Sequence, residues 1–328
     1  IGSLKGSVKS LTKKIFLLNN GKTDTLTNTE LVMSLEKAML DLERVDINYN
    51  DMLKARVALV VDFMRDSLEL DMYETRINYK GYEVENIENT VLAFSNDAFF
   101  VKNFSLGQGD EKMFTLDARI TGTTLDTKMR LENLTLQELM RDVLQQQFNQ
   151  PVDANLNFEV VASGTYNDPY ITTNFTVNDF KYKNEQLGKL ILTAVYEDEV
   201  ITPVGKFYSG ATTGNDSLLS LTGVIPYKIS FSEGVFDFIK DKETDIKLSS
   251  DNFSLSALNG FVPNVEGLQG ILQAQIEMKG FYPNLVRNGS AEIKNGLFKV
   301  SMTKLYYGLQ MGVTLSDSTV SLTRFLLT

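Results

Sequence analysis

Strict alternation of apolar and polar residues recurs along this chain more persistently than any other pattern, and it is the period of a strand with one face in water and one face out of it. In residues 154–163, Leu156, Phe158, Val160 and Ala162 fall on one face, and Asn155, Asn157, Glu159 and Ser163 on the other; Val161 is the single apolar intruder. In 270–279, Leu272, Ala274, Ile276 and Met278 oppose Gln273, Gln275, Glu277 and Lys279. Phe114, Leu116, Ala118 and Ile120 oppose Thr115, Asp117, Arg119 and Thr121, and Leu125, Met129 and Leu131 oppose Asp126, Lys128 and Arg130. The polar positions carry too much charge to form a second buried face, so one side of each strand is wet and the other apolar.

Turn-forming residues separate these runs at Gly122, Asn167-Asp168-Pro169, Asn178-Asp179, Gly214-Asn215-Asp216, Pro283-Asn284 and Asn288-Gly289, as between neighbouring antiparallel strands. The expected fold is mainly β, built of many short strands. One helix is expected over 136–148, where Leu136, Leu139, Met140, Val143, Leu144 and Phe148 share a face. Thr135 and Glu138 offer a capping box, and Pro151 stops its extension. Residues 30–44 fit helix and strand periods alike, and a strand is expected only near Ile47.

The chain also repeats itself. Residues 132–140 (ENLTLQELM) align with 251–259 (DNFSLSALN), 119 residues on. Both are followed by an alternating strand that runs into a turn, at Gly164-Thr-Tyr-Asn-Asp-Pro169 and at Gly280-Phe-Tyr-Pro283. A looser triple, Tyr79, Val84 and Phe104, recurs at the same spacing as Tyr182, Leu187 and Phe207, then as Val300, Leu305 and Phe325. Stacked β modules of this kind make an extended, quasi-one-dimensional architecture. Three segments are expected: an N-terminal β segment 1–114, a β-groove repeat 115–245 that contains the helix, and a second repeat 246–328.

Composition removes most chemistries. The 328 residues include no Cys, His or Trp, so thiol nucleophiles, imidazole bases, disulfides and the usual zinc ligands are absent. A net charge of −10 repels nucleic-acid phosphates and anionic lipid surfaces. Gly21-Lys22-Thr23 lacks the first glycine of a phosphate loop, since position 16 is Phe16. Ser10…Lys13 and Ser34…Lys37 have the Ser-x-x-Lys spacing without the partner motifs of penicillin-interacting enzymes. Glu197-Asp198-Glu199 and the acids of 237–245 have neither calcium-loop spacing nor an apolar setting, and read as solvated turns. Asn103, Asn133, Asn174 and Asn252 head Asn-x-Ser/Thr triplets and read as ordinary turn and strand-edge residues. No enzyme activity, cofactor or metal is expected. Apolar runs such as 57–61 are too short for a spanning helix, and the ends at Ile1 and Thr328 read as cuts from a longer protein, with any membrane anchor outside these residues.

The stretch 246–263 (IKLSSDNFSLSALNGFVP), then 265–270 (VEGLQG), the strand leading to Gly280-Phe-Tyr-Pro-Asn284, and 289–298 (GSAEIKNGLF) resemble the repeated unit of TamB and related AsmA-like proteins; 131–197 is similar in its order of parts. The resemblance is good over 115–328 and suggestive before that. It implies a bacterial envelope protein, anchored in the inner membrane and crossing the periplasm. It further implies a U-shaped β-groove, or β-taco, whose apolar interior carries phospholipid between inner and outer membranes, and an outer-membrane barrel partner of the TamA type in outer-membrane assembly. The expected lipid-groove wall is Leu116, Ile120, Met129, Leu131, Leu156, Phe158, Val160, Phe175, Val177, Leu190, Leu192, Ile229, Phe231, Leu272, Ile276, Val313 and Leu315. Exposing an acyl chain of about 15 methylenes to water costs on the order of 12 kcal/mol, and an apolar trough lowers that barrier without any catalytic group. The rival reading is a structural or adhesive β-sandwich or repeat module whose apolar faces plug one another. A transmembrane barrel is a third, disfavoured by the expected helix and the absence of Trp girdles.

Overall fold

In the computed structural model, residues 5–19, 22–36, 39–49, 52–63, 68–138, 152–182, 185–209, 219–259 and 262–328 are described. The chain divides into two units, Ile1–Phe148 with Glu159–Ser163, and Asn149–Phe158 with Gly164–Thr328. Both are built of antiparallel strands, and the repetitive, mainly β fold read from alternation is what the structure shows.

Unit 1 contains β1 (Lys5–Asn19), β2 (Lys22–Glu36), β3 (Met39–Tyr49), β4 (Leu53–Asp62), β5 (Leu68–Tyr79), β6 (Tyr82–Asn86), β7 (Thr90–Phe94), β8 (Ala98–Gln108), β9 (Glu111–Thr121) and β10 (Thr124–Thr135). Each strand pairs with the next, except that β6 and β7 lie end to end between β5 and β8 as one interrupted strand. Asn86 holds the interruption: its Oδ1 accepts the Thr75 N–H at 2.6 Å, and its Nδ2 donates to the Glu88 carbonyl at 3.1 Å. Of the residues 30–44, ambiguous by period, 30–36 belong to β2 and 39–44 to β3. Tertiary pairing of Leu31 with Val45 and Leu35 with Leu40 overrides the helical spacing of the same leucines.

Strand β11 (Val152–Thr165) follows, and unit 2 continues with β12 (Pro169–Tyr182), β13 (Glu185–Glu197), β14 (Val200–Ser209), β15 (Leu219–Ser230), β16 (Val235–Phe238), β17 (Glu243–Ser254), β18 (Val265–Phe281), β19 (Asn284–Val300), β20 (Tyr306–Ser316) and β21 (Thr319–Leu327). From β12 onward each strand again pairs with the next, except that β16 pairs back on β15 alone and β15 pairs with β17 as well. Of the helix expected over 136–148, Leu136–Glu138 take helical geometry and the remaining positions lie outside the described residues, as does the turn expected at Gly214-Asn215-Asp216. At the matching point of the second repeat, Leu255–Leu258 form a single 3-10 turn, with no side-chain cap from Ser254. The 119-residue repeat is therefore structural: a strand ends and a helical turn begins at Leu136 and again at Leu255.

Bulges fall where short polar side chains tolerate left-handed backbone. Asn103 (φ 57°), Asp179 (φ 50°) and Asn295 (φ 51°) each sit at a register shift. Two heads of the Asn-x-Ser/Thr triplets thus have a backbone role inside strands: Asn103, whose N–H donates to Asp117 Oδ1 at 2.9 Å, and Asn133 (φ 55°). Asp198 and Glu199, both at positive φ, form the tight turn between β13 and β14, and Glu199 pairs with Lys242 at 3.0 Å, the solvated-turn role expected of them.

Gly289 marks a close approach of β19 to β18, because a Cβ there would stand 2.3 Å from the Gln275 carbonyl oxygen and 2.8 Å from Ile276 Cα. Gly289→Ala is therefore expected to destabilise unit 2 by about 1–3 kcal/mol, read as a lower urea midpoint. Gly6→Ala, with nothing within 4 Å, is expected to leave it unchanged. An unshifted midpoint for the first variant would show that the strands separate freely there.

Candidate functional site: an apolar sheet face

Registered partners in an antiparallel ladder share a face, so the register of unit 2 draws transverse rows of side chains. One row runs unbroken over nine strands: Phe175, Leu192, Gly205, Leu221, Leu248, Ile276, Gly289, Leu315 and Val320. One residue along each strand, on the opposite face, the corresponding row is Thr176, Ile191, Lys206, Ser220, Ser249, Gln275, Ser290, Thr314 and Ser321. The two faces differ almost completely in polarity over the same backbone.

Neighbouring rows extend the apolar face. Val177, Leu190, Phe207 and Leu219 line one stretch, and Ser250, Ala274, Ala291, Val313 and Leu322 another. Ser250 does not break the face, since its hydroxyl donates to the Leu272 carbonyl at 3.3 Å and accepts the Phe253 N–H at 3.2 Å. On the other side lie Gly223, Ile246, Met278 and Arg287, and beyond β15 the set Ile171, Tyr196, Ile201 and Ile225.

The leucine, isoleucine and phenylalanine side chains of the nine-strand row are half-buried, Gly205 between Leu192 and Leu221 is buried, and Val320 is 72% exposed. In a closed sandwich interior such residues are mostly fully buried. At the far end of β13 Tyr196 is buried, its Oη accepting the Ile229 N–H of the β15–β16 hairpin, and the face is also covered toward the start of β18. There the 3-10 turn 255–258 lies against β13 although β14 and β15 intervene in the ladder, and Leu255, Ala257, Leu187 and Leu268 are buried. Phe207 and Phe253 meet across β15 with ring centroids 6.0 Å apart.

The expected wall residues are placed as follows. In unit 1, Leu116 pairs with Met129, Leu131 with Phe114 and Ile120 with Leu125, which puts all four candidates on one half-buried face of β9 and β10. Leu156, Phe158 and Val160 occupy alternate, half-buried positions of β11. In unit 2, Phe175, Leu192, Ile276 and Leu315 fall in the nine-strand row, Val177, Leu190 and Val313 in the rows beside it, and Leu272 pairs with Ile293. Ile229 and Phe231 belong instead to the β15–β16 hairpin: Ile229 pairs with Phe236 and its N–H is bonded to Tyr196 Oη, while Phe231 lies in the turn, 44% exposed, against the Phe236 ring. Leu221, Leu248 and Arg287 were missed. The alternation Ile246-Lys-Leu248 signals the second of these, but no short run signals a lone Arg among apolar partners.

The opposite face carries the charge. Lys247 reaches Asp245 at 3.1 Å and Glu277 at 3.4 Å, and Ser220 and Ser249 share a 2.7 Å hydrogen bond in an open polar depression of about 510 Å³. In unit 1, Arg56 pairs with Asp46 at 2.7 Å, and Glu159 is gripped by Arg130, with Lys128 at 3.6 Å. The Arg130 hydrogen bond holds the Glu159 carboxyl below the usual range against partial desolvation. A depressed folded pKa contributes stability that is present above the unfolded value, near 4.3, and lost as pH falls through the folded one. Glu159→Gln is accordingly expected to cost about 0.2–1 kcal/mol at pH 7, as for an exposed pair, and nothing at pH 2. Equal losses at both pH values in urea titrations would refute the ion-pair account.

Among the described residues no three carboxylates cluster to hold a metal, and no helix is long and apolar enough to cross a membrane. Comparison with protein-family models, with curated proteins and with solved structures found no match to this chain.

Proposed function

We propose that this chain is a non-enzymatic segment of an envelope protein of the TamB and AsmA-like kind, whose apolar face takes the acyl chains of phospholipids on their way between the inner and outer membranes of a bacterium. The support is the nine-strand row, apolar from Phe175 to Val320, whose leucine, isoleucine and phenylalanine side chains are only half-buried. Each methylene moved from water onto such a surface gains about 0.8 kcal/mol, so the row lowers the cost of moving a lipid through an aqueous gap. No nucleophile, base or metal takes part. A periplasmic setting, an anchor elsewhere in the protein and an outer-membrane TamA-type barrel partner belong to the same proposal, through the resemblance of 115–328. The test is extraction: the protein purified from detergent-free cells is expected to carry phospholipid detectable by mass spectrometry. Lipid-free protein that also fails to take up added phospholipid would leave the closed structural or adhesive module as the reading.

A further inference from the structure

In the apolar-face rows traced across β12 to β21, one position alone carries a charge. Arg287 is registered with Met278, which is registered with Ile246, so its side chain leaves the backbone on the apolar side of β19. It is exposed, and among the described residues it makes no ion pair or side-chain hydrogen bond, with Asp317 in the β20–β21 turn or with any other carboxylate. The neighbouring cations of the opposite face are matched: Lys279 with Glu243 at 3.5 Å and Lys247 with Asp245 and Glu277. A guanidinium is a planar fork that binds phosphate through two parallel hydrogen bonds, and here it is left without an acidic partner beside an apolar surface.

Its position along the strands adds a second constraint. The covered end of the face, with Leu255 and Leu268 buried, lies toward the start of β18, whereas Arg287 lies toward the β18–β19 turn. From Arg287 to Ile293, which is registered with Leu272 near the covered end, is six residues, roughly 20 Å of strand. The acyl layer of one leaflet is about 15 Å deep, half the hydrocarbon core. A lipid tail therefore fits along the strands between the two.

We infer that Arg287 is the headgroup anchor of this face: it binds the phosphate of a phospholipid whose tail lies along β18 and β19 toward the covered end. This rests on the acyl-chain reading above, and it adds orientation and a preference for anionic heads. Ile276 and Leu272 contact the tail; Arg287 contacts the phosphate and acts as a specificity-determining residue.

The experiment measures binding of the full chain to phosphatidic acid and to diacylglycerol with identical acyl chains, each carrying one fluorescent tail, for wild type, Arg287→Gln and Arg287→Lys. Wild type is expected to prefer phosphatidic acid by about tenfold or more, as a charge-assisted contact confers. Arg287→Gln is expected to bring the two lipids within about twofold of each other by weakening phosphatidic acid alone, and Arg287→Lys to keep part of the preference. Inorganic phosphate is expected not to displace the probe. The position is exposed, so thermal melts of the variants are expected to match wild type. Equal binding of both lipids by wild type, a preference that survives Arg287→Gln, or displacement by inorganic phosphate overturns the anchor and leaves the acyl-chain reading standing. Failure of wild type to bind either lipid overturns both.

Discussion

Ile276→Glu is expected to abolish acyl-chain binding in unit 2, while Gln275→Lys, one residue away on the same strand, is expected to leave it intact. Ile276 is registered with Leu248 on one side and Gly289 on the other, in the middle of the nine-strand row. Because Gly289 has no side chain, a guest crossing this point rests on Ile276 and Leu248. A carboxylate there holds water against the face and removes contact with three or four methylenes, about 3 kcal/mol or roughly a hundredfold in affinity. The fold tolerates the change, since Ile276 is only half-buried, so the expected stability loss is about 1–1.5 kcal/mol, part of what a fully buried Ile contributes. Gln275 points to the face that holds Ser249 and Ser290, where a lysine meets solvent. The same contrast is expected between Phe158→Glu and Asn157→Lys in β11. The measurement is titration of a fluorescent phospholipid into each purified variant, with urea unfolding alongside. Equal loss of binding in both members of a pair would mean that the apolar side is not the binding side.

How much of this was legible beforehand follows from what alternation encodes. A period of two states which face a side chain takes, and the register puts Leu272, Ile276, Phe175 and Leu192 on the side that alternation within their own strands implies. It says nothing about neighbours. The alignment of nine such strands into one row depends on register, which is set by turns and bulges such as those at Asp179 and Asn295. The same limit explains Phe231. It continues the alternation of Ile229, but β15 leaves the main ladder near Pro226 to pair with β16, and the turn carries Phe231 out to solvent. Residues 30–36 and 39–44 went the other way: leucines spaced for a helix became strands because partners on β3 and β4 were available to bury them. Arg287 breaks the alternation of β19, and its meaning appears only once Met278 and Ile246 are seen beside it.

The row itself predicts a second large effect, a period-two pattern of contact with lipid. Eight inter-strand steps of about 4.8 Å give the nine residues a span of roughly 38 Å, more than twice the depth of one leaflet's acyl layer. A face that binds tails along its strands therefore accepts lipids at many positions from β12 to β21. A photoreactive phenylalanine analogue at Phe175, Leu221, Leu248 or Leu315 is expected to crosslink to phospholipid in living cells. The same analogue at Thr176, Ser220, Ser249 or Thr314, each one residue away and on the opposite face, is expected to give at most background. Sheet geometry makes this contrast sharp, because consecutive side chains leave the backbone on opposite sides. Detection by mass spectrometry of lipid-modified peptides separates the rival accounts. A closed core yields crosslinks between protein segments at the first four positions and no lipid at any of the eight. A barrel lying in a bilayer also yields lipid on one face, but only from protein found in the membrane fraction. Lipid adducts at the apolar positions of these 328 residues, produced without the proposed anchor and recovered outside that fraction, are the result that only an open, lipid-carrying face in water produces.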